Sequence, residues 1–133
     1  MILLDTHALI WLTNDSAQLG KKSADIARAA WDQERLAVSA ISFWELAMIR
    51  AKNQVELIAD PVEMRKILLN TGLIEIPVDG EIAMLSVRLN LPHKDPADRL
   101  IAATAIVKGA MLLTADAKLL KWKHALKRHD AAR

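Results

Sequence analysis

Cysteine is absent from this chain of 133 residues. That removes disulfide scaffolds, thiol nucleophiles and thiolate zinc sites together. Tyrosine is also absent and phenylalanine occurs once, a poor stock for a surface that stacks on bases. No apolar run approaches the roughly 20 residues that cross a bilayer. Linkers, low-complexity tracts and internal repeats are lacking. The chain opens on a strand-like stretch with no basic segment followed by an apolar one, so no signal peptide is expected and the cytoplasm is the expected compartment.

What remains is enough for one domain. The length falls within the usual single-domain range. With 53% apolar residues, the chain can bury a core without a disulfide or structural metal. The net charge of +2 is unevenly spread. Six basic side chains oppose only Asp130 over the last 17 residues, whereas the first 116 carry 12 basic and 15 acidic ones. A basic tail beside an acidic crevice suits a nucleic-acid substrate, although taken alone it reads as a solvated terminal segment.

Short apolar runs alternate with helical periodicities. Residues 2–4 and 36–38 read as strands, each followed by a helix, near 6–13 and 41–52. Gly20 precedes a helix near 21–34, and Asp60-Pro61 starts another, closed by Gly72. A third strand is expected near 73–76, then a helix from Asp79 to about Leu89. Asp95-Pro96 opens a helix to Lys108 that is apolar on nearly every side and must be covered on most of its surface. Gly109 ends it, a strand follows near 110–113, and a short helix begins after Thr114. The last residues read as an edge strand near 125–126 or a frayed basic tail. This pattern predicts one α/β domain over residues 1–133, with a short central parallel sheet and helices on both faces.

Four apolar runs give way to an acidic residue at the start of a helix: Ile2–Leu4 to Asp5, Leu36–Val38 to Glu45, Leu89–Leu91 to Asp98, and Met111–Leu113 to Asp116. In a parallel sheet the carboxyl ends of the strands share one crevice, so these carboxylates are expected to meet. Each also has a local explanation. Ser42-x-x-Glu45 fits a capping box, Asp95 and Asp98 can both serve one helix start, and Asp5 and Asp116 can cap theirs. Convergence is costly, because two carboxylates about 4 Å apart repel by roughly 4 kcal/mol at an effective dielectric near 20. A domain is stable by only about 5–15 kcal/mol. If the four converge, a hard cation with oxygen ligands, Mg²⁺ or Mn²⁺, is expected among them.

The segments LLDTHALIW (3–11), SAISFWELA (39–47), HKDPADRLIAATA (93–105) and LLTADAKL (112–119) together resemble PIN-domain ribonucleases, and among them the VapC-like toxins of toxin–antitoxin pairs. The resemblance runs in order along nearly the whole chain, and DPADRLIAATA is its most specific part. It implies that Asp5, Glu45, Asp98 and Asp116 are an acidic metal-binding and catalytic quartet. Asp5 and Asp98 would be primary ligands, Glu45 a direct or water-mediated one, and Asp116 would complete the set or anchor a second ion. Thr114 would help order the site, Asp95 would cap its helix, and Arg99 would contact a phosphate or pair with a quartet member. The implied function is a Mg²⁺- or Mn²⁺-dependent endoribonuclease acting on RNA, often structured RNA such as transfer RNA. It would form a homodimer and be held inactive by a small VapB-like antitoxin.

Other readings compete. An RNA-processing nuclease outside a toxin pair would use the same residues. A phosphatase commonly places a second aspartate two residues after the first, where this chain has His7. A non-catalytic α/β interaction module would use the acids as caps or as a regulatory cation site. His7, His93, His124 and His129 lack the paired spacing of a zinc site and read as surface or packing residues. Trp31 and Trp44 read as core, and Trp11 is divided between core and a partner-binding groove.

Overall fold

The computed structural model describes residues 1–133. Five strands form one sheet: β1 (Ile2–Leu4), β2 (Leu36–Ser39), β3 (Ile74–Ile76), β4 (Met111–Thr114) and β5 (Arg128–Asp130). Their order is β3-β2-β1-β4-β5, and every neighbouring pair is parallel. Parallel strands need covered crossovers, which seven helices supply: α1 (Thr6–Thr13), α2 (Lys21–Asp32), α3 (Ala40–Ala51), α4 (Pro61–Asn70), α5 (Gly80–Arg88), α6 (Pro96–Lys108) and α7 (Ala117–Lys121).

Strand side chains alternate between two cores. Leu4, Val38 and Leu113 face a cluster with Leu9 of α1, Ala27 of α2 and Met64 of α4. Leu3, Ala37 and Leu112 face the opposite cluster with Ile82 of α5, Ile101 of α6 and Leu119 of α7. The nearly all-apolar α6 is covered as its composition requires, with Ala97, Ile101, Ala102, Ala103, Thr104 and Ala105 buried. It stops at Gly109, whose φ of +60° is the left-handed cap conformation that a side chain disfavours.

Two local expectations are corrected, at the C-terminus and at Trp44. The apolar run Leu89–Leu91 lies in the connection between α5 and α6. Its apolar character reflects the burial of Leu91 against the α6 side of the sheet. The C-terminal segment is neither frayed nor paired at 125–126: β5 lies at Arg128–Asp130. Beyond it, the Arg133 carbonyl accepts the Lys22 and Ser23 amides at the start of α2, at 3.0 and 3.3 Å. Gly20 permits this approach, since a Cβ there would lie 2.1 Å from Arg133 backbone atoms. Trp44 is not core, being 57% exposed, whereas Trp31 packs at the edge of the α2 cluster and its indole N–H donates to Thr71 O at 2.9 Å.

The chain builds outward from β1 to β2 and β3 on one side, then returns to place β4 and β5 on the other. The reversal lies between β1 and β4, and in open α/β sheets the crevice beyond such a switch point is where ligands bind. No helix is long and apolar enough to cross a membrane.

Candidate metal centre

Asp5 follows the central strand directly and enters the crevice at the switch point, its amide bonded to Leu113 O of β4 at 3.0 Å. Asp116 lies two residues beyond β4. Glu45 comes from the second turn of α3, Asp95 from the N-cap of α6 and Asp98 from its first turn. Asp5, Glu45, Asp95, Asp98 and Asp116 line one pocket of about 280 Å³, together with His7, Trp11 and Ala115. The expected quartet therefore converges, from four separate stretches of chain.

Capping and convergence prove compatible because a carboxylate has two oxygens. Asp5 caps α1 through Oδ1, which accepts the Ala8 amide at 2.8 Å, and its Oδ2 accepts the Thr114 hydroxyl. Asp116 caps α7 through Oδ1, accepting from Leu119 N at 3.0 Å, while its Oδ2 lies 3.0 Å from His93 Nε2. Asp95 caps α6, accepting from Ala97 N at 3.0 Å, as expected. Thr114 joins two acids, since its oxygen also accepts the Asp116 amide at 3.0 Å. The capping box at Ser42 does not form: Ser39 is the cap of α3. Glu45 instead accepts the Thr6 hydroxyl, with Ser42 Oγ 3.0 Å from that same hydroxyl. Thr6, which carried no signal in the sequence, and Ser42, expected only as a cap, thus support the site.

Arg99 lies elsewhere than expected. It forms no ion pair with a quartet member. Its guanidinium donates to the carbonyls of Ser86 (2.8 Å), Leu89 (2.6 Å), Leu91 (2.7 Å) and His93 (2.9 Å), with Val87 more distant. A helix ends with unsatisfied carbonyls, and a cation is favoured there. Arg99 caps α5 and ties down the connection that follows it.

His93 is also misplaced by the sequence reading. Its side chain is only 10% exposed, and Nε2 lies 3.0 Å from Asp98 Oδ2 and 3.0 Å from Asp116 Oδ2. A lone histidine without a spaced partner carries no sequence signal for such a role; only the folding of residues 89–95 brings it to the acids.

The electrostatics follow from crowding and burial. Burial, then the charges of Asp95, Glu45, Asp116 and Asp5, push the Asp98 carboxyl up to about 8. Burial raises Asp5 despite the hydrogen bonds from Thr114 and Ala8. It likewise raises Glu45 despite the bond from Thr6, with help from the charges of Asp95 and Asp5. Asp116 is the exception: burial acts upward, but the hydrogen bonds from His93 and the Leu119 amide carry it below the ordinary value. Three raised carboxyls in one oxygen-lined pocket form a site that favours protons or a cation over bare charge. The donor set fits a hard divalent ion.

The sequence pattern of the PIN domain matches residues 2–124. The chain is 35% identical over 125 residues to Ribonuclease VapC22 of Mycobacterium tuberculosis, covering 92% of each. Among solved structures it is similar to a toxin–antitoxin complex from Klebsiella pneumoniae, at 26% identity and a TM-score of 0.66, covering 95% of both chains. It shares the fold of VapBC2 from Rickettsia felis bound to a promoter DNA fragment, at 20% identity and a TM-score of 0.69, covering 97% and 98%. With its sheet order, its acidic switch-point crevice and these likenesses together, the chain belongs to the PIN-domain family.

Proposed function

We propose that this protein is a metal-dependent endoribonuclease that hydrolyses RNA phosphodiester bonds and serves as the toxin of a toxin–antitoxin pair. One observation carries the reading: Asp5, Glu45, Asp98 and Asp116 share a single pocket at the switch point of the sheet. In that pocket Asp5 and Asp98 would be the primary ligands of Mg²⁺ or Mn²⁺, with Glu45 and Asp116 completing the set. A cation held there would lower the pKa of bound water, easing the proton loss that makes it a nucleophile, and would offset charge building on the phosphoryl oxygens. The chain's own part is to hold the acids in place. Thr114 links Asp5 to Asp116, and Thr6 orients Glu45. Without neutralisation these carboxylates would repel an RNA phosphate, so substrate entry and cation binding are coupled.

The identity to a ribonuclease across most of the chain supports RNA as substrate, with transfer RNA as the first target to test. The toxin–antitoxin complex from Klebsiella pneumoniae supports a small VapB-like antitoxin as partner. Exposed apolar side chains on α3 and α5, Trp44 at 57%, Met84 at 58% and Val87 at 79%, are consistent with a homodimer. The cytoplasm is the proposed compartment.

Purified protein incubated with labelled RNA should cleave it in Mg²⁺ or Mn²⁺ and stop when a chelator is added. A folded Asp98→Asn variant should lose at least about a hundredfold in rate, the scale of several kcal/mol of lost charge stabilisation. Induced expression should arrest growth for the wild type and not for this variant. Equal cleavage by both proteins would remove the assignment.

A further inference from the structure

We infer that His93 is a positioning residue of the acidic pocket: its Nε2–H holds the carboxylates of Asp98 and Asp116 beside one another, without joining the coordination shell of a cation. The inference deepens the metal-centre reading and rests on it. The location of the ring proton follows from hydrogen-bond chemistry. His93 Nδ1 lies 3.2 Å from the Asp95 backbone N, a group that can only donate. Nδ1 must therefore present its lone pair, which leaves the ring hydrogen on Nε2. There it donates to Asp116 Oδ2 at 3.0 Å, and Asp98 Oδ2 lies at the same distance from the nitrogen.

The histidine nitrogen and the two carboxylate oxygens all lie within 4.8 Å of one another. The N–H therefore gathers both oxygens around one point before a cation arrives, where their mutual repulsion would otherwise turn them apart.

The three groups could instead be taken as a ligand set. A coordinating histidine donates its remaining N–H to a carbonyl or carboxylate. Here the remaining nitrogen faces an amide hydrogen, so coordination through Nε2 would set two hydrogens against each other. The ring is also carried on a fixed support. The His93 carbonyl accepts from Arg99, which is itself bonded to the carbonyls of Ser86, Leu89 and Leu91.

Nitrogen-15 NMR of the cation-free wild type reads the tautomer directly and needs no variant; the proton is expected on Nε2. Calorimetric titration with Mn²⁺ or Mg²⁺ then compares wild type, His93→Ala and His93→Gln. Alanine should weaken binding about 10- to 100-fold, the usual effect of losing a partner that orients a ligand. Glutamine, whose amide N–H reaches a similar place, should restore most of it, with thermal unfolding of both variants close to wild type. A proton on Nδ1, or a nitrogen shift marking direct coordination in the loaded protein, would overturn the inference. Equal affinities for wild type and His93→Ala would do so too, while leaving the metal centre standing. A wild type that binds neither cation would remove the metal centre, and the role of His93 with it.

Discussion

Asp98 is the most crowded charge in the molecule, and its environment sets a pH dependence. Burial and four neighbouring carboxylates hold its folded-state pKa near 8, against 3.8 for the free group. Between those values the folded, cation-free protein binds more protons than the unfolded chain. Stability is therefore greatest at the acid side of this window and is lost as pH rises through about 8, by at most about 1.4 kcal/mol per pH unit for one group. Asp5 and Glu45 shift in the same direction. The cation-free wild type should accordingly melt at a lower temperature at pH 8 than at pH 6. Asp98→Asn should flatten that slope and raise the melting temperature at pH 8. Saturating Mg²⁺ should raise the wild type at pH 8 more than the variant. Calorimetry across pH 5.5–8.5 measures all three, and a wild-type curve that rises toward pH 8 would contradict them. Asp5, Glu45, Asp98 and Asp116 were legible as candidates because each follows an apolar run near a helix start. His93, Thr6 and Ser42 were not, because their roles depend on partners distant in sequence or on an irregular loop.

The α5–α6 connection shows how a segment without regular structure is held. Its carbonyls have no strand to pair with, and side chains satisfy them: Arg99 takes Leu89, Leu91 and His93, and the Trp122 indole takes Asn90 at 2.6 Å. Arg99→Met keeps the aliphatic stem and deletes every one of the Arg99 bonds. The expected cost is about 3 kcal/mol in urea unfolding, since charge-assisted hydrogen bonds contribute about 1.5–3 kcal/mol each and water recovers some of the freed carbonyls. A loss below about 0.5 kcal/mol would show that the connection holds without it. Arg99 was expected at a phosphate or paired with a quartet member because it neighbours Asp98, but successive helical residues point about 100° apart. The short run Leu89–Leu91 left its structure open, since three apolar residues have no period to read. The helices themselves were legible, α6 most of all, because Asp95-Pro96 and Gly109 mark both of its ends.

Across the whole molecule the charge is sorted by region. Lys118, Lys121 and Lys123 line a groove of about 630 Å³ with Asn90, Pro92 and Trp122. It adjoins the acidic pocket, since Ala117 follows Asp116 and Pro92 precedes His93. None of the three lysines is engaged in an ion pair. An RNA strand entering the pocket would meet them on the way, offsetting repulsion from the acids. Replacing all three with glutamine should weaken RNA binding in chelator. It should reduce the slope of log affinity against log salt by about 2, near 0.7 per phosphate contact on a single strand. Thermal stability should change little, because exposed substitutions are typically within about 0.5 kcal/mol each. An unchanged slope would place the RNA path elsewhere.

Local chemistry was enough to set most of the helices, the parallel α/β class and the acids as candidates near helix starts. Caps, glycines and apolar periods act within a few residues and can be read within a few residues. The convergence of those acids, the hydrogen-bond clamp of His93 and the turning of Arg99 onto backbone carbonyls arise from contacts between segments far apart in the chain or through an irregular loop. Their energies depend on distance and desolvation in the folded molecule, which no linear pattern records.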